Sequence, residues 1–188
     1  MLTHCGTQTI ISERLILRPF RYTDDDDMLT YWVSDPDIQF MYSEPVYTSK
    51  EEVKGLLDKF IGSYEKQDYY RWAIIEKKSD ICIGQIAIFL VNDANHFCEI
   101  EYCLGSRFHQ KGYMTEAVET ILNFCFNRVN FHKVQVCHKE GNLASQGVIR
   151  KCKFTYEGTL RDFFFMDGKY VSRLYYSMLK EEYLNRIH

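Results

Sequence analysis

An α/β fold of the α+β kind, with a mixed sheet, is predicted for this 188-residue chain by three observations. Residues 70–104 hold three runs with strand alternation joined by short polar turns, which favours antiparallel neighbours. Apolar residues recur at helical spacing over 113–128, and a strand-like run at 132–138 follows, so the connection reads as a helical crossover between parallel strands. With 46% hydrophobic residues and no repeat or low-complexity tract, the chain reads as one domain over 1–188 with a core spanning about 12–182.

Each element follows from its residues. The first strand is expected over 12–20, Ser12-Glu-Arg-Leu-Ile-Leu-Arg18-Pro-Phe20. The run Asp24 to Asp27 opens a helix over 24–33, because carboxylates in a first turn gain about 0.3–1 kcal/mol each from the helix dipole. An acidic lip for a cationic amine is the other reading of that run. Ser49-x-x-Glu52 is a capping box, and Val53, Leu56, Leu57, Phe60, Ile61 and Tyr64 form one stripe, so a helix is expected over 49–66. Strands follow at 70–77, 81–91 and 97–104, turned through Lys77 to Asp80 and Asn92 to Asn95. Met114, Ala117, Val118, Ile121, Leu122 and Cys125 give the helix 113–128 its apolar face. Beyond it come a strand at 132–138, a helix at 142–151 with Asn142 placed to cap it, and a closing hairpin near 154–165 and 169–179. The pattern amounts to about seven strands and about four helices.

Composition excludes several functions. A net charge of −3 and a pI near 6.1 leave no basic stripe, so nucleic acid is not an expected partner. No apolar run reaches the roughly 18–20 residues of a membrane span, and MLTHCGTQTI lacks a basic segment followed by an apolar one. No membrane association is expected, and the cytoplasm is the expected location. Seven cysteines stand singly, without CxxC pairs or spaced histidines, which argues against a metal site and against a disulfide framework.

The informative stretch is Glu99 to Arg128, a strand, a loop rich in backbone donors, and a long helix. Gly112 stands at the junction. A residue without Cβ there lets the free N–H groups of the first helical turn converge on an anion, although a glycine in such a turn also serves plain packing. The segment His109-Gln110-Lys111-Gly112-Tyr113-Met114, continued by Thr115-Glu116-Ala117, resembles motif A of the GNAT N-acetyltransferases. His109 stands where that family usually has Gln or Arg, and Met114 where it has Gly or Ala. Asn142 to Phe154 is similar to the family's next segment, and Ser12 to Phe20 to the opening strand of its RimJ/RimL-like branch. The likeness covers about 12–182.

The resemblance implies a GNAT fold, a twisted and mostly antiparallel mixed sheet splayed in the middle, with acetyl-CoA as co-substrate. His109, Gln110, Lys111, Gly112, Tyr113, Met114 and Thr115 would then hold the diphosphate. The main chain of Tyr102, Cys103 and Leu104 would bind pantetheine and polarise the thioester, and Asn142 would bond the pantetheine arm or cap its helix. Met114 is expected to narrow the space beside the diphosphate.

For the proton, Glu99 and Glu101 are the candidate bases, since alternation puts both on one strand face. Two neighbouring acids raise one another's proton affinity; pairing with a nearby Lys or Arg is the alternative. Glu101 lies nearer the thioester implied by the resemblance. Many family members carry a tyrosine acid where this chain has Ile149, which leaves Ser145 as a relay. Neither Cys103 nor Cys137 has an adjacent group that would activate a thiol, so direct transfer is expected. Three readings of function follow: transfer to a protein N-terminus or small amine, transfer to a polyamine such as spermidine or spermine, or a non-catalytic acyl-CoA sensor. Self-association into a homodimer stays open.

Overall fold

The computed structural model describes residues 1–186. Its strands are β1 (Ile10–Ile11), β2 (Leu15–Arg18), β3 (Tyr70–Glu76), β4 (Ile81–Asn92), β5 (Phe97–Leu104), β6 (Lys133–Lys139), β7 (Thr155–Met166) and β8 (Lys169–Leu179). They form one sheet in the order β1-β2-β3-β4-β5-β6-β8-β7. Only β5 and β6 pair in parallel; every other neighbouring pair among the described residues is antiparallel. The helices are α1 (Asp25–Tyr31), α2 (Pro36–Tyr42), α3 (Lys50–Ile61), α4 (Tyr113–Phe124), α5 (Leu143–Lys151) and α6 (Lys180–Asn185).

The departures from expectation have local causes. The strand expected over 12–20 breaks because the Ser12 N–H donates to the Leu15 carbonyl at 3.0 Å, turning β1 back along β2 with Ile10 opposite Leu17. The helix expected over 113–128 widens into a π turn at Cys125–Val129 and stops at Asn130, whose φ of 72° is left-handed. α2 was not expected, yet its signal is present: Asp35 accepts from Asp37 N–H and Ile38 N–H at 3.0 and 3.2 Å, and Pro36 opens the helix. The capping box of α3 forms as read, with Ser49 accepting from Glu52 N–H at 3.3 Å.

Helices cover both faces of the sheet. On one face Val118, Ile121 and Leu122 of α4 and Ile149 of α5 pack over Cys98, Ile100 and Leu104 of β5. On the other, Trp32 with Val53, Leu57 and Phe60 of α3 pack over Ala73, Ile75, Cys82 and Cys103. Full burial of such side chains is worth roughly 1.5–3 kcal/mol each, which fixes α4 and α5 against β5.

The sheet opens between β5 and β6. Pairing of β5 with β6 runs only from Phe97↔Lys133 to Ile100↔Val136, while β5 stays registered with β4 to Leu104 and β6 with β8 to Lys139. From Glu101 and Cys137 onward the two strands part. The lip on the β5 side is held close to β4 by Gly84, where a Cβ would fall 2.3 Å from the Cys103 carbonyl oxygen.

Candidate active site

The loop that follows this lip is built and braced. His109 Nε2 hydrogen-bonds the Leu104 carbonyl at 2.8 Å, tying the loop to the end of β5. Gln110 and Gly112 are both left-handed, with φ of 61° and 81°, and this bend delivers the chain into α4 with Gly112 as its N-cap, which offers no capping side chain. Arg14 clamps the loop from below. Its Nη1 donates to the Lys111 carbonyl at 2.9 Å, its Nε to Glu116 Oε2 at 2.7 Å, and its guanidinium lies 4.7 Å from the Tyr113 ring centre. Glu116 Oε1 also accepts from Ser12 Oγ and from Arg14 N–H, each at 2.7 Å. A helix N-terminus flanked by Lys111 and Arg14 has the charge to hold a diphosphate. Met114 does not narrow that space as expected: it is 6% exposed and packs in the core, because the first turn of α4 points it toward the sheet.

Glu101 and Glu99 do share one face of β5, but they are not two bare acids. Arg71, Ala87 and Glu101 stand opposite one another across three strands, and the small Ala87 lets Arg71 reach Glu101, with Nη2 2.6 Å from Oε1. Arg71 Nη1 donates to Gln85 Oε1 at 2.5 Å. Glu99 is paired with Arg173 Nη2 at 2.7 Å, and Arg173 Nε donates to Cys137 Sγ at 3.0 Å. Each of the two neighbouring acids thus has an arginine partner. The two differ in access: the Glu101 side chain is 28% exposed and borders the opening, whereas that of Glu99 is 4% exposed. Glu44 lies close by, its carboxyl raised above the ordinary value by burial and then by the charge of Glu101. Burial pushes the thiols of Cys103 and Cys137 up to about 12, so neither is a ready nucleophile.

Asn142 caps α5, its Oδ1 accepting from Ser145 N–H at 3.0 Å. Ser145 Oγ lies 3.0 Å from the Tyr102 hydroxyl, whose proton affinity is raised by burial. This Tyr102–Ser145 pair was not anticipated; strand parity already puts Tyr102 on the α5 face, opposite to Glu101. Ile149 is core, 1% exposed. The acidic run supplies no lip at Asp24 or Asp27. Arg18 holds Asp24 by two bonds of 2.6 and 2.8 Å, and Asp27 accepts from Cys82 N–H at 2.8 Å. Among the described residues no group of His, Cys, Asp and Glu could hold a metal ion, and no helix is long and apolar enough to cross a membrane.

Known proteins share this chain's sequence pattern and fold. Residues 14–155 match the family model described as Acetyltransferase (GNAT) domain. An uncharacterized N-acetyltransferase, p20, from Bacillus licheniformis is 27% identical over 94% of this chain and 98% of its own length. The spermidine N(1)-acetyltransferase of Vibrio cholerae is 24% identical over 85% of this chain and 84% of its own length. A GNAT-family acetyltransferase crystal structure from Bacillus anthracis superposes with a TM-score of 0.82 at 24% identity, covering 93% of this chain and 100% of that one.

Proposed function

Since this chain belongs to the GNAT family of acetyltransferases, we propose that it moves an acetyl group from acetyl-CoA directly to the primary amine of a protein N-terminus or a small molecule, within one ternary complex. The observation that carries this reading is the parting of β5 from β6 at Glu101, directly before the braced loop at Gly112. Unpaired main chain on the lip suits an extended pantetheine arm, and the α4 N-terminus beyond it suits the diphosphate.

In this reading, main-chain groups of Tyr102, Cys103 and Leu104 align and polarise the thioester. The amine nitrogen attacks the carbonyl carbon, the C–S bond breaks, and one amine proton must leave. Glu101 accepts the hydrogen bond of the incoming amine, and its exposed edge passes the proton to solvent; Arg71 Nη2, 2.6 Å away, fixes the carboxylate in position. Glu99, enclosed with Arg173, holds the strand face together instead. Ser145, bonded to Tyr102, is in this reading a relay for a proton toward the departing sulfur, although a thiolate of pKa about 8.5 leaves readily unaided. The high proton affinity of Cys103 and Cys137 favours direct transfer over an acetyl-cysteine intermediate. A polyamine acceptor is a second reading, supported by the similarity to the spermidine enzyme.

The test is thiol release from acetyl-CoA across a panel of amines, together with the Gly112→Val variant. A β-branched residue at a φ of 81° is strained by about 1–2 kcal/mol, and its Cβ would press on Arg14 Nη2 at 3.3 Å. Calorimetry should find acetyl-CoA binding at least about tenfold weaker in a variant that circular dichroism finds folded. Wild-type affinity in that variant would remove the loop from the site, and parallel rather than intersecting double-reciprocal lines would replace direct transfer by an acetyl-enzyme.

A further inference from the structure

Past the last rung between β5 and β6, one basic side chain crosses the opening. Carried three residues beyond Ile100↔Val136, the register sets Lys139 of β6 opposite Cys103 of β5, on the sheet face that carries Glu101. The strands have parted there, yet Lys139 reaches over, and its Nζ donates to the Phe40 carbonyl of α2. α2 belongs to the β5 side, since its Ile38 and Tyr42 pack in the same core as Cys103. The Phe40 ring centre, 5.4 Å away, and that of Phe164 on β7, 5.0 Å away, flank the ammonium. Lys139 is 4% exposed, and among the described residues no carboxylate lies in ion-pair contact with it. Buried charges are normally paired, because their desolvation is otherwise uncompensated. Burial accordingly lowers the proton affinity of this amine, which favours its neutral, nucleophilic form. A neutral donor would tie β6 to α2 without a desolvated charge; what a lysine adds is a nucleophile.

We propose that Lys139 is a self-acetylation site: loaded with acetyl-CoA and given no other amine, the protein transfers the acetyl group to its own Nζ across the opening from Cys103. The inference rests on the reading that the thioester lies along Tyr102, Cys103 and Leu104, the stretch that Lys139 faces by register. The neutral Nζ attacks the thioester carbonyl carbon and the C–S bond breaks with its electron pair left on sulfur. The proton lost by nitrogen goes to the departing thiolate, so the products are an amide and CoA. The product suits the niche. Acetyl-lysine keeps one N–H for the Phe40 carbonyl, sheds the unpaired charge, and places a methyl beside two aromatic rings.

The test incubates the wild-type protein with saturating acetyl-CoA and no added amine, and maps acetyl groups by peptide mass spectrometry. One acetyl should accumulate at Lys139 at least about tenfold faster than at the exposed Lys54, Lys151 and Lys169, because the reacting groups are held in one complex. The rate per molecule should stay the same when the protein is diluted. Acetylation by free reagent has the opposite pattern and marks the exposed lysines first. Labelling of Lys139 that slows on dilution, or that is no faster than at the exposed lysines, would overturn the proposal. A parallel assay with the amine panel separates it from the reading it rests on. Thiol release with an amine while Lys139 stays unmodified would overturn self-acetylation and leave the acetyltransferase reading intact. A labelled Lys139 with no thiol release to any amine would keep the site and overturn transfer to a separate acceptor, and neither label nor thiol release would overturn both.

Discussion

Glu101 and Glu99 are two positions apart on one strand, yet the structure gives them different prospects. Glu101→Gln keeps the shape and removes the anion, so kcat should fall by about 10- to 100-fold near neutral pH and recover as the pH rises and free amine becomes plentiful. A pH–rate profile parallel to that of the wild type would make the carboxylate structural. Strand parity was enough to place both acids on one face, since alternation is a local property of the chain. Their partners were not legible. Arg71 lies 30 residues from Glu101 and Arg173 lies 74 from Glu99, and no local pattern links residues that meet only through strand order. The bond of the Tyr102 hydroxyl was not legible for the same reason: its partner Ser145 is 43 residues away, on a helix whose docking the sequence alone does not specify.

At the scale of elements, the start of α4 depends on Glu116. Burial raises the proton affinity of this carboxyl, but bonds from Arg14 N–H, the Ser12 hydroxyl and the Arg14 side chain outweigh it and leave the group below its ordinary value of 4.5. The unfolded chain therefore binds its proton first as the medium is acidified. The stabilisation is complete above pH 4.5 and is lost as the pH falls through the lower folded value. Urea midpoints taken from neutral to acid pH should show Glu116→Gln less stable at neutrality by about 1–2 kcal/mol and flatter on the acid side. An unchanged acid slope would mean that the clamp adds nothing. Of the helices that the sequence revealed, α3 and α4 have long apolar stripes. α2 is only seven residues, and its Asp35-Pro36 start was legible but lacked an amphipathic run to follow it.

At the scale of the whole molecule, eight strands form one sheet among the described residues, and crossover logic anticipated the parallel pair of β5 and β6. The place where that pair ends was not written in either strand, because both remain strand-like beyond it and are held by other neighbours. If the opening receives an extended arm, amide hydrogen exchange at residues 101–104 should slow on addition of CoA, while α3 on the other face exchanges as before. Equal slowing everywhere would point to global stabilisation and away from a ligand laid along the lip. The four rungs between Phe97 and Ile100 also have a mechanical meaning. They join a five-strand plate to a three-strand plate through a ladder shorter than those on either side of it, β4 with β5 and β6 with β8. Any molecule bound in the opening would rivet the two plates together.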